Sequence, residues 1–241
     1  MSESVTPYPS EASKKQQIAH MFDRISPRYD FLNHLMSAGI DIGWRKKLIE
    51  RLLKNQPNRI LDVATGTADL AIMAAKKSHA QLTGLDLSAG MLARGQKKIE
   101  AQKLQHRIRL IQGDAENMPF CDGRFDALSI AFGVRNFENL QVGLQEMSRV
   151  TRSGGQNFIL EFSKPKGFPI AQLYHFYFHH IVPAIGRYAS KDSRAYRYLP
   201  RSVAAFPDGE AMRSIISSCG FSACELKPFH FGMATLYIAT K

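Results

Sequence analysis

Apolar positions along the chain fall into three successive patterns. From Lys14 to about Leu53 they recur at helical spacing: Ile18, Met21, Phe22 and Ile25, then Leu32, Leu35 and Met36, then Trp44, Leu48, Ile49 and Leu52. Pro27, Gly39 and Gly43 divide this stretch into two or three helices. After Gln56-Pro57-Asn58 the rhythm changes to short apolar runs alternating with helical segments. It predicts strands over Arg59–Val63, Gln81–Leu87, Ile108–Gln112, Phe125–Phe132 and Asn157–Phe162, with helices over Ala68–Lys77, Ser88–Ala101 and Leu140–Val150. Such alternation implies an α/β fold, a parallel sheet with helices on both faces. The last segment differs again. A helix over Asp208–Ser218 is closed by Cys219-Gly220, and the strands Phe221–Leu226 and Ala234–Ala239 follow with no helix between them. Two strands without a crossover pair antiparallel, so the expectation is a mostly parallel seven-stranded sheet ending in an antiparallel hairpin.

Composition narrows the class. A chain of 241 residues with 44% hydrophobic and 22% charged residues can bury one large core, which excludes a disordered chain. The polar stretch 1–13 reads as a flexible lead, and 14–241 as a single domain. Three cysteines without CxxC spacing point to a reducing compartment, and the polar N-terminus has no apolar signal core, so a cytoplasmic protein is expected. Gly167 to Gly186 is twenty residues without Asp, Glu, Lys or Arg, long enough to span a bilayer. Two prolines and three histidines within it argue against spanning, and a buried or interfacial segment fits better. A net charge of +11 favours anionic partners, but the cations are scattered rather than clustered.

The candidate chemistry lies at strand ends. Asp62-Val63-Ala64-Thr65-Gly66-Thr67-Ala68 joins the first strand to a helix, where ligands of open α/β sheets bind. The loop is neither a dinucleotide fingerprint nor a P-loop. Asp86 ends the second strand, where a carboxylate can accept from both hydroxyls of a ribose, and Asp114-Ala115 ends the third, on the adenine side. Any one of these acids alone would more commonly be a turn or capping residue. All three in register point to a nucleoside ligand.

These features resemble those of class I S-adenosylmethionine-dependent methyltransferases, whose fold is Rossmann-like. Within that class the chain is similar to the menaquinone/ubiquinone quinol C-methyltransferases. The resemblance rests on Met21 to Ser37 with Trp44, on Phe132-Gly133-Val134-Arg135-Asn136, on Leu160 to Pro165, and on Ser193 to Leu199 with Phe206-Pro207. It implies S-adenosylmethionine as co-substrate and no metal, with cofactor contacts at Thr67, Asp86, Asp114 and Ala115 and loop support from Gly66 and Asp62. It also implies a helical cap over 14–56 and a substrate-side insertion over 164–207. Ala64 and Ala68 depart from the family's common glycines, so the loop could lie further from the cofactor.

The implied reaction methylates a ring carbon of a polyprenylated hydroquinone, demethylmenaquinol first and the benzoquinol of ubiquinone synthesis as the alternative. Readings of another class are a nucleic-acid methyltransferase, which the net charge favours but no appended RNA-binding motif supports, and a non-catalytic quinone-binding scaffold. Arg135 and Asn136 are the residues expected to hold a phenolate, against the alternatives of a structural ion pair and a helix cap. Tyr29 and Asp30 are candidates to cover the cofactor or relay a proton, and no residue stands out as the general base. His175 and His179 lack a third metal ligand. The aromatic stretch from Gly167 to Gly186, with Arg187, Lys191, Arg194, Arg197 and Arg201 after it, reads equally as core with solvated cations, as a wall for an isoprenoid tail, or as a contact with the inner face of an anionic membrane.

Overall fold

The computed structural model describes residues 5–30, 37, 39–181 and 193–241. Leu32, Leu35, Met36, Arg187 and Lys191 lie outside them. The elements in chain order are α1 (Lys14–Ile25), α2 (Ile40–Leu52), β1 (Arg59–Val63), α3 (Asp69–Lys77), β2 (Gln81–Asp86), α4 (Ala89–Ala101), β3 (Ile108–Gln112), β4 (Phe125–Ala131), α5 (Leu140–Val150) and β5 (Thr151–Phe162). Then come α6 (Ile170–Phe176), which continues as a π-helical turn over Tyr177–Ile181, α7 (Ser193–Ala205), α8 (Gly209–Ser217), β6 (Ala223–Phe229) and β7 (Ala234–Thr240).

The seven strands form one sheet in the order β3-β2-β1-β4-β5-β7-β6. All neighbours are parallel except β7, which runs antiparallel to both β5 and β6. Alternation along β1 divides the core: Ile60 enters one cluster with Leu48 and Ile49 of α2 and Ala71 of α3. Leu61 and Val63 enter the other, with Leu144 and Met147 of α5 and Met212 of α8. Each such fully buried Leu or Ile contributes roughly 1.5–3 kcal/mol, so Leu61→Ala alone would cost about 2–5 kcal/mol. A third, smaller cluster joins Ile18, Met21 and Ile25 of α1 to Met91 of α4 and to Ala195 and Tyr198 of α7. It roofs the carboxyl ends of the parallel strands.

Three boundaries differ from expectation. β5 begins at Thr151, six residues early, because Thr151 pairs with Phe125 and the ladder resumes after a register shift at Ala127↔Gln156. Gly155 permits this; a Cβ there would sit 2.8 Å from the Asp126 carbonyl. The segment Arg152-Ser153-Gly154-Gly155 has turn composition, which hides the strand. β6 runs on through Pro228, which an edge strand tolerates because that N–H has no ladder partner to lose. Residues 5–13, read from composition as flexible, lie against α1. Gln17, buried, accepts the Tyr8 N–H at 3.0 Å and donates to the Ser10 and Ala12 carbonyls, and Ser13 caps α1 in a capping box with Gln16.

Candidate active site

The loop after β1 takes three left-handed residues in five, Ala64 at φ 50°, Gly66 at 58° and Ala68 at 65°. Only glycine adopts this region freely, so each alanine strains the backbone by roughly 1–2 kcal/mol. The departure from glycine thus shows up as strain. The loop is held from below by Asp62, buried, which accepts the Thr65 hydroxyl at 2.6 Å and the Ser129 hydroxyl at 2.8 Å. Burial pushes the Asp62 carboxyl up to about 6.

Asp86 ends β2 at the wall of a cleft that also touches Gly66, Met91, Gly113, Asp114 and Ala115. It accepts the Gly66 N–H at 2.7 Å and the Ser88 N–H at 2.9 Å, one on each oxygen. Each oxygen keeps a lone pair for a ligand hydroxyl. Desolvation pushes this carboxyl too up to about 6. Asp114 is at the cleft with its charge met by Lys15 at 2.6 Å. A diol-accepting carboxylate, a second acid one strand over, and apolar walls from Ile18, Leu87 and Met91 suit an adenosyl group.

Thr67 is placed elsewhere. Its side chain, buried behind the loop, donates to Asp30 at 2.6 Å and accepts from Lys98 at 2.9 Å, and it does not line this cleft. Lys98 also meets Asp30 and Asp69 at 2.6 Å each. Asp30 is therefore a tether, and what it fixes is Tyr29, whose ring lines the cleft and packs edge-on against Phe22 at 5.8 Å.

Helix α1 covers the cleft and is fastened at both ends. Lys14 donates to the Phe137 carbonyl at 2.7 Å, Lys15 holds Asp114, and Asp23 accepts the Ser88 hydroxyl at 2.6 Å and the Gly90 N–H at 2.9 Å. Under this cover the cleft keeps a free volume of about 70 Å³. From sequence these charges read as surface charge; partners 65 or more residues away carry no local signal.

Beside the cleft lies an apolar cavity of about 490 Å³, walled by Met21, Ile25, Trp44, Phe162, Leu173 and Leu199 among others. Arg135 and Asn136 bring polar atoms into it. Arg135 pairs with buried Glu161 at 2.8 Å and also donates to the Phe132 carbonyl. Its Nε is buried without a hydrogen-bond partner, although the side chain is only 9% exposed. Arg135 is thus both an ion-pair partner and a donor still in hand. Glu161 lies in the block Leu160 to Pro165, where no local pattern gives it a role. Asn136 accepts the Tyr198 hydroxyl at 3.1 Å, and Asn139, not Asn136, caps α5. Burial pushes the Tyr198 phenol up to about 12. Phe22, Tyr29, Phe132 and Asn136 line both cleft and cavity and so mark where the two meet.

Among the described residues of the aromatic stretch none is core: α6 has no buried residue, and Phe168, Leu173 and Phe176 are 86%, 62% and 58% exposed. Leu173, Tyr174, Phe176 and Tyr177 form a cavity wall. Among the described residues no helix is long and apolar enough to cross a membrane, and no group of three or more His, Cys, Asp or Glu could hold a metal.

Comparison with known proteins agrees with this geometry. A Bacteroides fragilis protein named demethylmenaquinone methyltransferase is 45% identical over 99% of this chain and 98% of its own length. A Geotalea daltonii protein named ubiquinone/menaquinone biosynthesis C-methyltransferase is 43% identical over 95% and 97%. The fold matches a solved S-adenosylmethionine-dependent methyltransferase from Thermotoga maritima at a TM-score of 0.67 and 16% identity, covering 93% of this chain and 99% of that one. A family model matches residues 10–241, and the chain accordingly belongs to the ubiE/COQ5 methyltransferase family.

Proposed function

We infer that this chain transfers a methyl group from S-adenosylmethionine to a ring carbon of a polyprenylated hydroquinone, demethylmenaquinol being the favoured substrate. The observation that carries this is the junction at Phe22, Tyr29, Phe132 and Asn136, where a nucleoside-type cleft opens onto a cavity with an apolar wall. S-adenosylmethionine, when bound, supplies an electrophilic methyl on a sulfonium. The chain supplies alignment and a dry environment, and Arg135 Nε donates to the substrate oxygen as it becomes anionic. A nucleic-acid substrate would need a cationic groove at this point, and the wall there is aromatic and aliphatic. The test is methyl transfer to reduced demethylmenaquinone against the benzoquinol precursor of ubiquinone. Turnover of the benzoquinol at equal efficiency would extend the activity to both, a breadth that the Geotalea relative's name carries.

The membrane reading stays with this proposal. Leu173 and Phe176 are exposed at the cavity's α6 wall, Phe168 is exposed just before α6, and Arg194, Arg197 and Arg201 are exposed on α7. Apolar insertion plus about 1 kcal/mol per surface-proximal cation supports reversible docking on anionic lipid. Co-sedimentation with anionic vesicles should fall as salt rises, and protein left in the supernatant at low salt would refute it.

A further inference from the structure

Asn136 stands at the junction of cleft and cavity, where it lines both spaces. An asparagine amide has nearly the same shape either way round, with an acceptor oxygen on one edge and two N–H donors on the other. For a substrate oxygen gaining negative charge the two edges are opposites: an N–H stabilises it and an amide oxygen repels it. The Asn136 amide is turned by one hydrogen bond. Tyr198, 3% exposed on α7, donates its hydroxyl to Oδ1 at 3.1 Å. Nδ2 has no acceptor among the described residues and is not sealed within protein, so its N–H groups open onto the spaces that Asn136 lines. The Tyr198 ring is itself held, packed with Ile18, Met21 and Ile25 of α1 in the cluster that roofs the strand ends. Burial pushes its phenol up to about 12, so the hydroxyl keeps its proton and remains a donor through the neutral range.

We propose that Tyr198 is a positioning residue for methyl transfer: by donating to Oδ1 it turns the Asn136 amide so that the N–H edge faces the substrate oxygen. The assignment rests on the quinol reading above and deepens it by naming what orients a donor at the junction. The phenol acts through Asn136 and takes no part in proton transfer. Tyr198 belongs to α7 and lines the cavity, whereas Asn136 belongs to the loop after β4. Their hydrogen bond therefore ties the substrate wall to the place where cleft and cavity meet. A donor set in advance stabilises charge on the substrate oxygen without reorganising during the reaction. Without the hydroxyl the two orientations of the amide compete, and the one that presents Oδ1 opposes the same charge.

The experiment compares the unmodified chain with Tyr198→Phe, Asn136→Ala and the double variant. It measures kcat and KM for reduced demethylmenaquinone at saturating S-adenosylmethionine, and cofactor Kd by calorimetry. Phenylalanine keeps the ring in its cluster and removes only the hydroxyl. Tyr198→Phe should lower kcat roughly tenfold with KM and Kd within about threefold, because a donor toward developing charge acts in the transition state rather than in binding. Asn136→Ala should lower kcat about a hundredfold. In that background no amide remains to be turned, so adding Tyr198→Phe should change kcat less than about twofold. Equal losses from Tyr198→Phe in both backgrounds overturn the assignment, as does an unchanged kcat in Tyr198→Phe, or a loss of turnover matched by loss of cofactor binding. A Tyr198→Phe rate that climbs about tenfold per pH unit where the unmodified rate is flat overturns it too, since that is the mark of a missing base. An unmodified chain inactive on both quinols overturns the quinol reading, whereas an active chain without coupling between the two residues overturns the positioning role alone.

Discussion

Arg135 and Glu161 form a buried ion pair between the loop after β4 and strand β5, with Nη1 and Oε1 2.8 Å apart and the two side chains 9% and 1% exposed. The pair joins the sheet to the cavity wall, and the guanidinium stacks 5.5 Å over Phe162.

Removing one member strands the other as a buried charge. Arg135→Met or Glu161→Met should each destabilise the fold by about 3–5 kcal/mol, whereas the double substitution should regain most of that loss. Turnover should not return in the double variant, because the donor toward the substrate is gone. Denaturant titration and methyl-transfer assays on the four proteins separate the two roles.

Asp86→Ala removes the acceptor at the end of β2. Losing charge-assisted bonds of about 1.5–3 kcal/mol each implies S-adenosylmethionine affinity at least about tenfold weaker. The Gly66 and Ser88 amides lose their acceptor as well, so stability should fall by roughly 1–2 kcal/mol. Unchanged affinity by calorimetry would remove Asp86 from the cofactor site.

Acid should move stability and affinity in opposite directions. Burial raises the Asp62 and Asp86 carboxyls to about 6 from an ordinary 3.8. Between those values the folded chain binds protons that the unfolded chain releases, so these two groups make the free chain more stable as pH falls from 7 to 5. Protonated Asp86 is a poorer acceptor, so cofactor affinity should decline over the same interval. Thermal melts and calorimetry at matched pH test the divergence, and Asp86→Asn should flatten the affinity curve.

Ala64→Gly should raise stability, against the usual direction of an Ala-to-Gly change. Relief of left-handed strain, roughly 1–2 kcal/mol, exceeds the added chain entropy of about 0.5–1 kcal/mol. Ala68, fully buried at φ 65°, also packs its methyl, so its glycine variant should gain less. Denaturation midpoints of the two variants decide between strain and packing.

The sheet was legible in the sequence because its strands are short apolar runs separated by amphipathic helices. The places of Asp62, Asp86 and Asp114 at or just beyond strand ends were legible because strand ends are local features. The setting of Thr67 is not legible, since it depends on Lys98 and Asp30, both distant in sequence and brought together by the tertiary fold. Glu161 is an acid in a buried strand, a position where charge makes sense only once Arg135 is known to face it. Local grammar conveys elements, whereas the chemistry of the site is assembled from partners that no window contains.

Strand β7 lies between β5 and β6, although both precede it in the chain. During synthesis β1 to β4 can pair as they emerge, but β5 keeps one open edge and β6 has no neighbour until residue 240 is made. The Leu236, Tyr237 and Ile238 row then enters the core last, joining both faces of the sheet at once. A nascent chain arrested before this point displays unpaired strand edges beside uncovered apolar surface, the features that promote aggregation and attract chaperones. This sheet is therefore completed only after β7 leaves the ribosome.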